Sequence, residues 1–313
     1  LWSDGDVPTT SEQPADYDIR TLRTQAVRVA TEAAELVTGA REAALADVST
    51  KSTKTDVVTA GDRAAERLVR QRLGELWPGV PVLGEEEGGG VPGNGLCWVV
   101  DPIDGTVNYL YGYPWYGVSI AAQVDGVSVA GVIVEPATGR VWDACRGDGA
   151  RLDGRPLRVS DVTRLDLSLV ATGFSYSAER RERQAALWGR LLPRVRDIRR
   201  AGASSLDLCA VAAGWVDAYV EHGLHRWDWA AGALIAEEAG AVVRLPGDQN
   251  ADPDAEVGDG VGAGRGDRLG AGAGDSLGDG VGDGLGEDAV LVAAPGIADE
   301  LRQALIDAGA GRV

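Results

Sequence analysis

Positions 98 to 109 read Trp98-Val99-Val100-Asp101-Pro102-Ile103-Asp104-Gly105-Thr106-Val107-Asn108-Tyr109. An apolar run of this kind is a buried strand, and it delivers two carboxylates three positions apart with a proline between them. Pro102 fixes its own φ and drives Asp101 toward an extended conformation. Both acids then sit at the strand's end instead of merging into a helix. Gly105 lets the backbone approach a ligand closely, and a helix or tight turn starting there aims the amides of Gly105 and Thr106 at an anion. An isolated Asp-x-x-Asp-Gly turn is more often a capped loop than an active site, so the rest of the chain has to decide.

Around this segment the periodicity changes along the chain. From Ile19, apolar residues recur at helical spacing (Leu22, Ala26, Val29, Ala33, Val37) and predict a long amphipathic helix. A second helix is expected from near Asp62, with Leu68, Val69, Leu73 and Leu76 on one face and Trp77-Pro78-Gly79 as its stop. Strands follow at 80–83, 97–100 and 116–124. Asp125-Gly126 is a hairpin signal, the chain returns over 127–134, and a further strand spans 140–145. The second half predicts strands at 168–172, 217–221 and 290–294, and helices at 178–192, 204–213, 228–239 and 297–308. Interleaved strands and helices indicate an α/β or α+β layered fold.

Length and composition bound the rest. The chain has 313 residues, 44% of them apolar, enough for a sizeable core and unlike a disordered chain. Residues 1–17 read as a mobile tail. Residues 248–288 hold 13 glycines, 11 acids and two arginines, a net −9 and half of the chain's −18. That composition marks a flexible insertion; its Gly-Asp-Gly steps lack the nine-residue period of a calcium-binding β-helix. The acidic balance disfavours non-specific nucleic-acid binding, which depends on Lys and Arg neutralising phosphates. Cys97, Cys145 and Cys209 are widely spaced and suggest free thiols in a reducing cytoplasm. No run of 18 apolar residues exists, so no membrane span is expected, and the first residues lack a signal-peptide pattern.

Three further segments carry acids. Gly84-Glu85-Glu86-Glu87 follows a strand, and crowding three carboxylates is costly unless cations offset the repulsion; alone it could be a solvated loop. Trp227-Asp228-Trp229-Ala230-Ala231-Gly232 opens a helix with Asp228 at the expected N-cap, an ordinary structural choice. Asp56-Val57-Val58-Thr59-Ala60-Gly61-Asp62 reads as a strand leading into a capped helix. Together they offer oxygen ligands only, which points to a hard cation, Mg²⁺ before Ca²⁺ or Mn²⁺. His222 and His225 have no zinc-type spacing and read as structural or as supports behind the ligands. The Gly88-x-Gly90-x-x-Gly93 match leads to no helix and contains Pro92, so it is not a dinucleotide fingerprint. Neither a P-loop nor a Gly-x-Ser-x-Gly elbow is present.

These four segments, in this order and ending in Glu238-Ala239-Gly240, resemble the inositol monophosphatase family over about residues 20–247 and 288–310. The resemblance implies an α-β-α-β-α sandwich, with 18–313 as the catalytic domain, and a phosphomonoesterase with two or three Mg²⁺ ions. By position, Glu85, Asp101 and the Ile103 carbonyl would hold a first ion, and Asp101, Asp104 and Asp228 a second, with Glu85 also turned to a third. Thr106 and Asp62 match the pair that orients the attacking water, and the amides of Gly105 and Thr106 the phosphate contacts. Glu221 and the Gly202–Ser204 loop match the pocket for ring hydroxyls, so the expected partner is a small phosphorylated polyol, inositol monophosphate first. Histidinol phosphate, fructose 1,6-bisphosphate and 3′-phosphoadenosine phosphate are alternatives within the same fold. A non-enzymatic metal-binding regulator is the rival of another class. The resemblance further implies a homodimer. Tyr109 and Tyr116 stand where Phe is common in the family, and Trp229 is bulky enough to reshape the pocket wall.

Overall fold

A computed structural model describes residues 17–41, 48–51, 57–90, 94–246 and 284–313. The expected tail up to residue 16, Asp56, most of the Gly/Asp insertion and Pro92-Gly93 lie outside the described residues.

Helix α1 (Ile19–Gly39) starts at Asp18, whose carboxylate accepts the Arg20 amide at 3.1 Å. It buries Leu22, Ala26, Val29, Ala33 and Val37, the stripe its spacing predicts. Strands β1 (Val48–Thr50) and β2 (Val57–Thr59) pair antiparallel and lead into α2 (Ala60–Leu76). This helix starts two residues before Asp62 because Thr59 caps it. The Thr59 hydroxyl accepts the Gly61 and Asp62 amides, and the Asp62 carboxylate accepts the Thr59 amide at 2.8 Å, a reciprocal capping box. The helix ends at Trp77 as expected, and Tyr17 lies edge-on to Trp77 at 6.5 Å, so the residue assigned to the end of the tail packs on the core.

Next come β3 (Val82–Gly84), β4 (Leu96–Asp104), α3 (Thr106–Tyr111), β5 (Gly117–Val124), β6 (Val127–Val134), β7 (Val141–Cys145), β8 (Gly149–Leu152) and β9 (Arg155–Pro156). The seven strands form one sheet in sequence order, with β3 parallel to β4 and every later pair antiparallel. Asp125 and Gly126 turn the β5–β6 hairpin with φ of 52° and 80°, the left-handed pair that matches strand twist.

The second half adds β10 (Leu169–Thr172), α4 (Ala178–Leu191), β11 (Asp197–Arg199), α5 (Ser204–Ala212), β12 (Ala218–His222), α6 (Arg226–Glu238), β13 (Val242–Arg244), β14 (Ala289–Ala293) and α7 (Ala298–Asp307). Its sheet runs β11-β10-β12-β14-β13, with β10 parallel to both neighbours and β14 antiparallel to both of its own. The Gly/Asp insertion therefore falls between the adjacent antiparallel strands β13 and β14, of which β13 is not among the strands predicted from the sequence.

Side-chain alternation along the strands sorts residues into layers. Val118, Ile120 and Ala122 of β5 join Leu22, Val29, Val69 and Leu73 under the first sheet, while Ala121 faces the opposite side with Leu206, Ala231 and Leu234. In β14, Val290 and Val292 face that middle layer, whereas Leu291 and Ala293 pack with Leu187, Leu191, Leu301 and Leu305. The stack is α1/α2, sheet, α5/α6, sheet, α4/α7: the expected α-β-α-β-α sandwich. Each fully buried Leu, Ile or Val contributes about 1.5–3 kcal/mol to holding it together. Because α6 lies between two sheets, it buries Trp229 through Ala236 without a break, where a surface helix would bury one stripe. Cys97, Cys145 and Cys209 are free and buried. Among the described residues, no helix is long and apolar enough to cross a membrane.

Candidate active site

All nine residues of β4 are buried. Its pairing with β5 shifts register between Asp101, opposite Ser119, and Asp104, opposite Gly117. A proline that cannot donate to the ladder accounts for that irregularity. The Asp101 carboxylate accepts the Ile103 amide at 3.0 Å. Gly105 then adopts φ +88° and caps α3. A Cβ there would stand 3.0 Å from the Ala203 Cβ and 3.1 Å from the Trp115 carbonyl, so both its conformation and its surroundings demand glycine. The Thr106 hydroxyl lies 3.1 Å from Asp62 Oδ1 and 2.9 Å from the Ile103 carbonyl, and its single proton serves one of them at a time.

The middle-layer helices supply the rest. At the start of α5, the Ser205 amide donates to Asp104 Oδ2 at 2.7 Å and its hydroxyl to the same oxygen. The Ser204 hydroxyl lies 3.4 Å from the other oxygen, Oδ1, and 3.3 Å from the Asp228 carbonyl. Asp228 is not the N-cap that its sequence context predicts. Helix α6 begins at Arg226 after His225, and Asp228, at its third position, reaches back to accept the His225 amide at 2.7 Å.

One ligand oxygen each from Asp101, Asp104 and Asp228 falls within 4.8 Å of the others. Burial pushes the Asp101 carboxyl well above the ordinary range, and the charges of Glu85, Asp104 and Asp228 push it further. Burial likewise raises Asp228, with Glu85 and Asp104 adding to it, and raises Asp104 to about 6 against the opposing Ser205 hydrogen bonds. Three crowded carboxylates, two buried and one half-buried, that resist ionising alone form a site that could hold a metal ion, and an all-oxygen donor set suits a hard divalent cation. Glu85 lies outside this trio: Lys51 Nζ sits 2.7 Å from Glu85 Oε1 and 2.7 Å from Glu86 Oε1. No motif marks Lys51; its one sequence signal is rarity, since the chain has two lysines.

A cavity of about 570 Å³ opens over the acids, and Glu85, Asp101, Ile103, Asp104, Gly105, Thr106, Gly202, Ser204, Glu221 and Asp228 all line it. Every expected site residue is there except Asp62, which stands behind Thr106. Glu221 accepts the Tyr219 hydroxyl, and burial raises its carboxyl to about 7. The cavity also exposes residues no motif singled out: Arg180, Arg200 and Asp207. Asp207 accepts the Trp115 indole N–H at 3.1 Å, and burial holds its carboxyl well above the usual range. Trp229 does not reshape the wall. It is buried in the middle layer, and the wall residue is Trp227, stacked on His225 at 4.7 Å. His222 and His225 both line the cavity, and His222 Nε2 lies 2.8 Å from the Leu285 carbonyl. Tyr109 spends its extra hydroxyl on the Val37 carbonyl at 3.0 Å. A second cavity of about 540 Å³, near Arg190 and Arg312, shares no residue with this one.

The model of the inositol monophosphatase family matches residues 18–271. The inositol-1-monophosphatase of Mycobacterium leprae is 51% identical over 249 residues, covering 74% of this chain and 86% of that protein. A protein called Nus factor SuhB, from Pseudomonas aeruginosa, is 41% identical over 226 residues, covering 70% and 83%. The solved structure of Mycobacterium tuberculosis SuhB superposes with a TM-score of 0.72 at 41% identity, covering 94% of this chain and all of that one. With four motifs folded around one acidic cavity and relatives of this similarity, the chain belongs to the inositol monophosphatase family.

Proposed function

We propose that the chain is a Mg²⁺-dependent phosphomonoesterase that converts inositol monophosphate and water to myo-inositol and phosphate. The observation that carries this reading is the trio of carboxylates within 4.8 Å, two buried and one half-buried, lining one cavity together with Glu221. Asp101, Asp104 and Asp228 would hold one ion, and Glu85, Asp101 and the Ile103 carbonyl another. Mg²⁺ supplies Lewis acidity and a water of lowered pKa when bound there.

The chain's own groups do the remaining work. The amides of Gly105 and Thr106 receive phosphate oxygens, stabilising charge that grows in the transition state. The Thr106 hydroxyl, held by Asp62, orients the attacking water. Burial raises the Asp62 carboxyl, which equips it to accept the proton that Thr106 passes on. Glu221, with Gly202 and Ser204 nearby, accepts hydrogen bonds from the hydroxyls of a polyol. Ser205 occupies Asp104 Oδ2 through two donors, whereas Oδ1 has only the longer 3.4 Å contact to the Ser204 hydroxyl and would be the more available oxygen for an ion.

The name of the Mycobacterium leprae relative, inositol-1-monophosphatase, favours inositol 1-phosphate. Relatives called Nus factor SuhB, a name that states no phosphatase activity, favour a second reading, a non-enzymatic regulatory role in addition to or in place of turnover. Retention of every carboxylate expected to bind metal argues against a role that has replaced catalysis. The test is phosphate release from inositol 1-phosphate, histidinol phosphate, fructose 1,6-bisphosphate and adenosine 3′,5′-bisphosphate, with Mg²⁺ and without. Preference for inositol 1-phosphate supports the proposal; preference for another ester replaces the substrate, and silence on all four favours the second reading.

A further inference from the structure

Helix α2 carries two fully buried carboxylates four residues apart, Asp62 and Glu66, and residues at that spacing share a helix face. Asp62 meets Thr106. Glu66 meets the acidic loop after β3: its Oε2 accepts the Glu86 amide at 2.7 Å and its Oε1 the Glu87 amide at 3.0 Å. One turn further on, Arg70 closes over the same carboxylate, with Nε 2.8 Å and Nη2 2.7 Å from Oε1. The same guanidinium donates to the Val82 carbonyl at 3.0 Å, ahead of the loop, and to the Gly88 carbonyl at 2.5 Å, behind it.

The loop is shaped to receive this clamp. A Cβ on Gly84 would fall 2.2 Å from Glu66 Oε1, so the residue before Glu85 has to be glycine for the carboxylate to enter. On the other side, the Glu85 amide donates to the Val100 carbonyl at 3.2 Å, one residue before Asp101. Glu85 is therefore pinned between the strand that carries Asp101 and a buried anion that organises the next two amides. A carboxylate that accepts two backbone amides and a guanidinium is a buried charge with its hydrogen-bonding capacity used, and its contacts within the loop fall on either side of one candidate ligand.

We infer that Glu66, backed by Arg70, is a positioning residue of the reaction: it holds the Gly84–Glu87 loop so that Glu85 faces Asp101 and contributes to Mg²⁺ binding. The inference rests on the proposed metal site, and its test separates the two. Mg²⁺ is titrated calorimetrically into the metal-free full-length chain as wild type, Glu66→Gln, Glu85→Gln and the double variant, with circular dichroism as the check on folding. Glu66→Gln weakens binding about tenfold or more, the scale seen when a group orienting a metal ligand is lost. In the Glu85→Gln background the same change costs less than about twofold, because the two substitutions act through one ligand. Equal losses in both backgrounds, or none in either, overturn the inference. Should Glu66→Gln fail to fold, Arg70→Gln, whose side chain reaches solvent, is read in the same cycle against the same outcomes. A wild-type chain that binds no Mg²⁺ overturns the metal site itself, and the inference with it.

Discussion

Asp104→Asn should stabilise the metal-free protein while destroying its response to Mg²⁺. Two unit charges 4.8 Å apart, the outer limit for the ligand oxygens of Asp101, Asp104 and Asp228, repel by about 3.5 kcal/mol at an effective dielectric constant of about 20. The protein meets that cost by holding protons. The Asp104 carboxyl rises from 3.8 to about 6, chiefly through burial. A carboxyl raised on folding contributes stability that is fully present below its unfolded value and is lost as pH rises through the folded one. For Asp104 the loss falls between about pH 4 and pH 6 and reaches about 3 kcal/mol by pH 8. Asparagine does not ionise, so the variant escapes this loss. It keeps an oxygen for the Ser205 donors, whose help to the ionised form is already contained in the raised value. The gain at pH 8 is therefore about 3 kcal/mol, or about 6 °C in Tm for a chain of this size; at pH 4 the gain disappears. Mg²⁺ at 100-fold over Kd should stabilise the wild type by about 2.7 kcal/mol and the variant by almost nothing, and turnover should nearly vanish. Thermal unfolding at pH 4 and pH 8, in EDTA and in Mg²⁺, reads all four quantities. A variant less stable than wild type in EDTA at pH 8, or one equally stabilised by Mg²⁺, refutes the reasoning.

Thr106→Ala should lower kcat by about 10²–10⁴, the range for a lost proton-transfer group, with Mg²⁺ affinity unchanged by calorimetry; a change confined to KM would remove Thr106 from the proposed proton path. Glu221→Gln should raise KM for inositol 1-phosphate and leave hydrolysis of a simple aryl phosphate alone. Since Glu221 titrates near 7, wild-type KM for the polyol should rise as pH falls through that value, and the variant's profile should stay flat there; matching profiles would count against Glu221. Gly105→Ala, forced into φ +88° against Ala203 and Trp115, should cost about 1–3 kcal/mol of stability by thermal unfolding, and an unchanged Tm would contradict the close approach seen at this turn.

The acid-bearing strand was legible because its chemistry is local: an apolar run, a proline and two aspartates within one short segment leave few conformations open. The long helices were legible because burial against a sheet imposes a period, as in Leu22, Ala26 and Val29. Strands β1, β8, β9, β11 and β13 were not. They span two to four residues each, too few for alternation to register, and tertiary pairing alone defines them. Asp228 was found as a site residue but misplaced by three positions as a cap, because a carboxylate at the third position satisfies the same amide from inside the helix. Trp229 was assigned to the pocket wall although its neighbour Asp228 faces the acids; successive helical residues point about 100° apart, which turns the indole into the core. Glu66 and Arg70 had a visible signal, acids and a base at i, i+4 and i+8 on one helix. Their meaning depended on amides about twenty residues away, and loop closure of that kind is invisible to local pattern. Lys51 reaches Glu85 across a wider gap of 34 positions.

The most direct test is a Mg²⁺ titration of EDTA-treated protein, following phosphate release from inositol 1-phosphate by wild type and Asp101→Asn. Wild type should be silent without metal and become active as Mg²⁺ rises, while the folded variant stays silent at every concentration. Release that ignores Mg²⁺, or a variant as active as wild type, would contradict a reaction centred on these carboxylates.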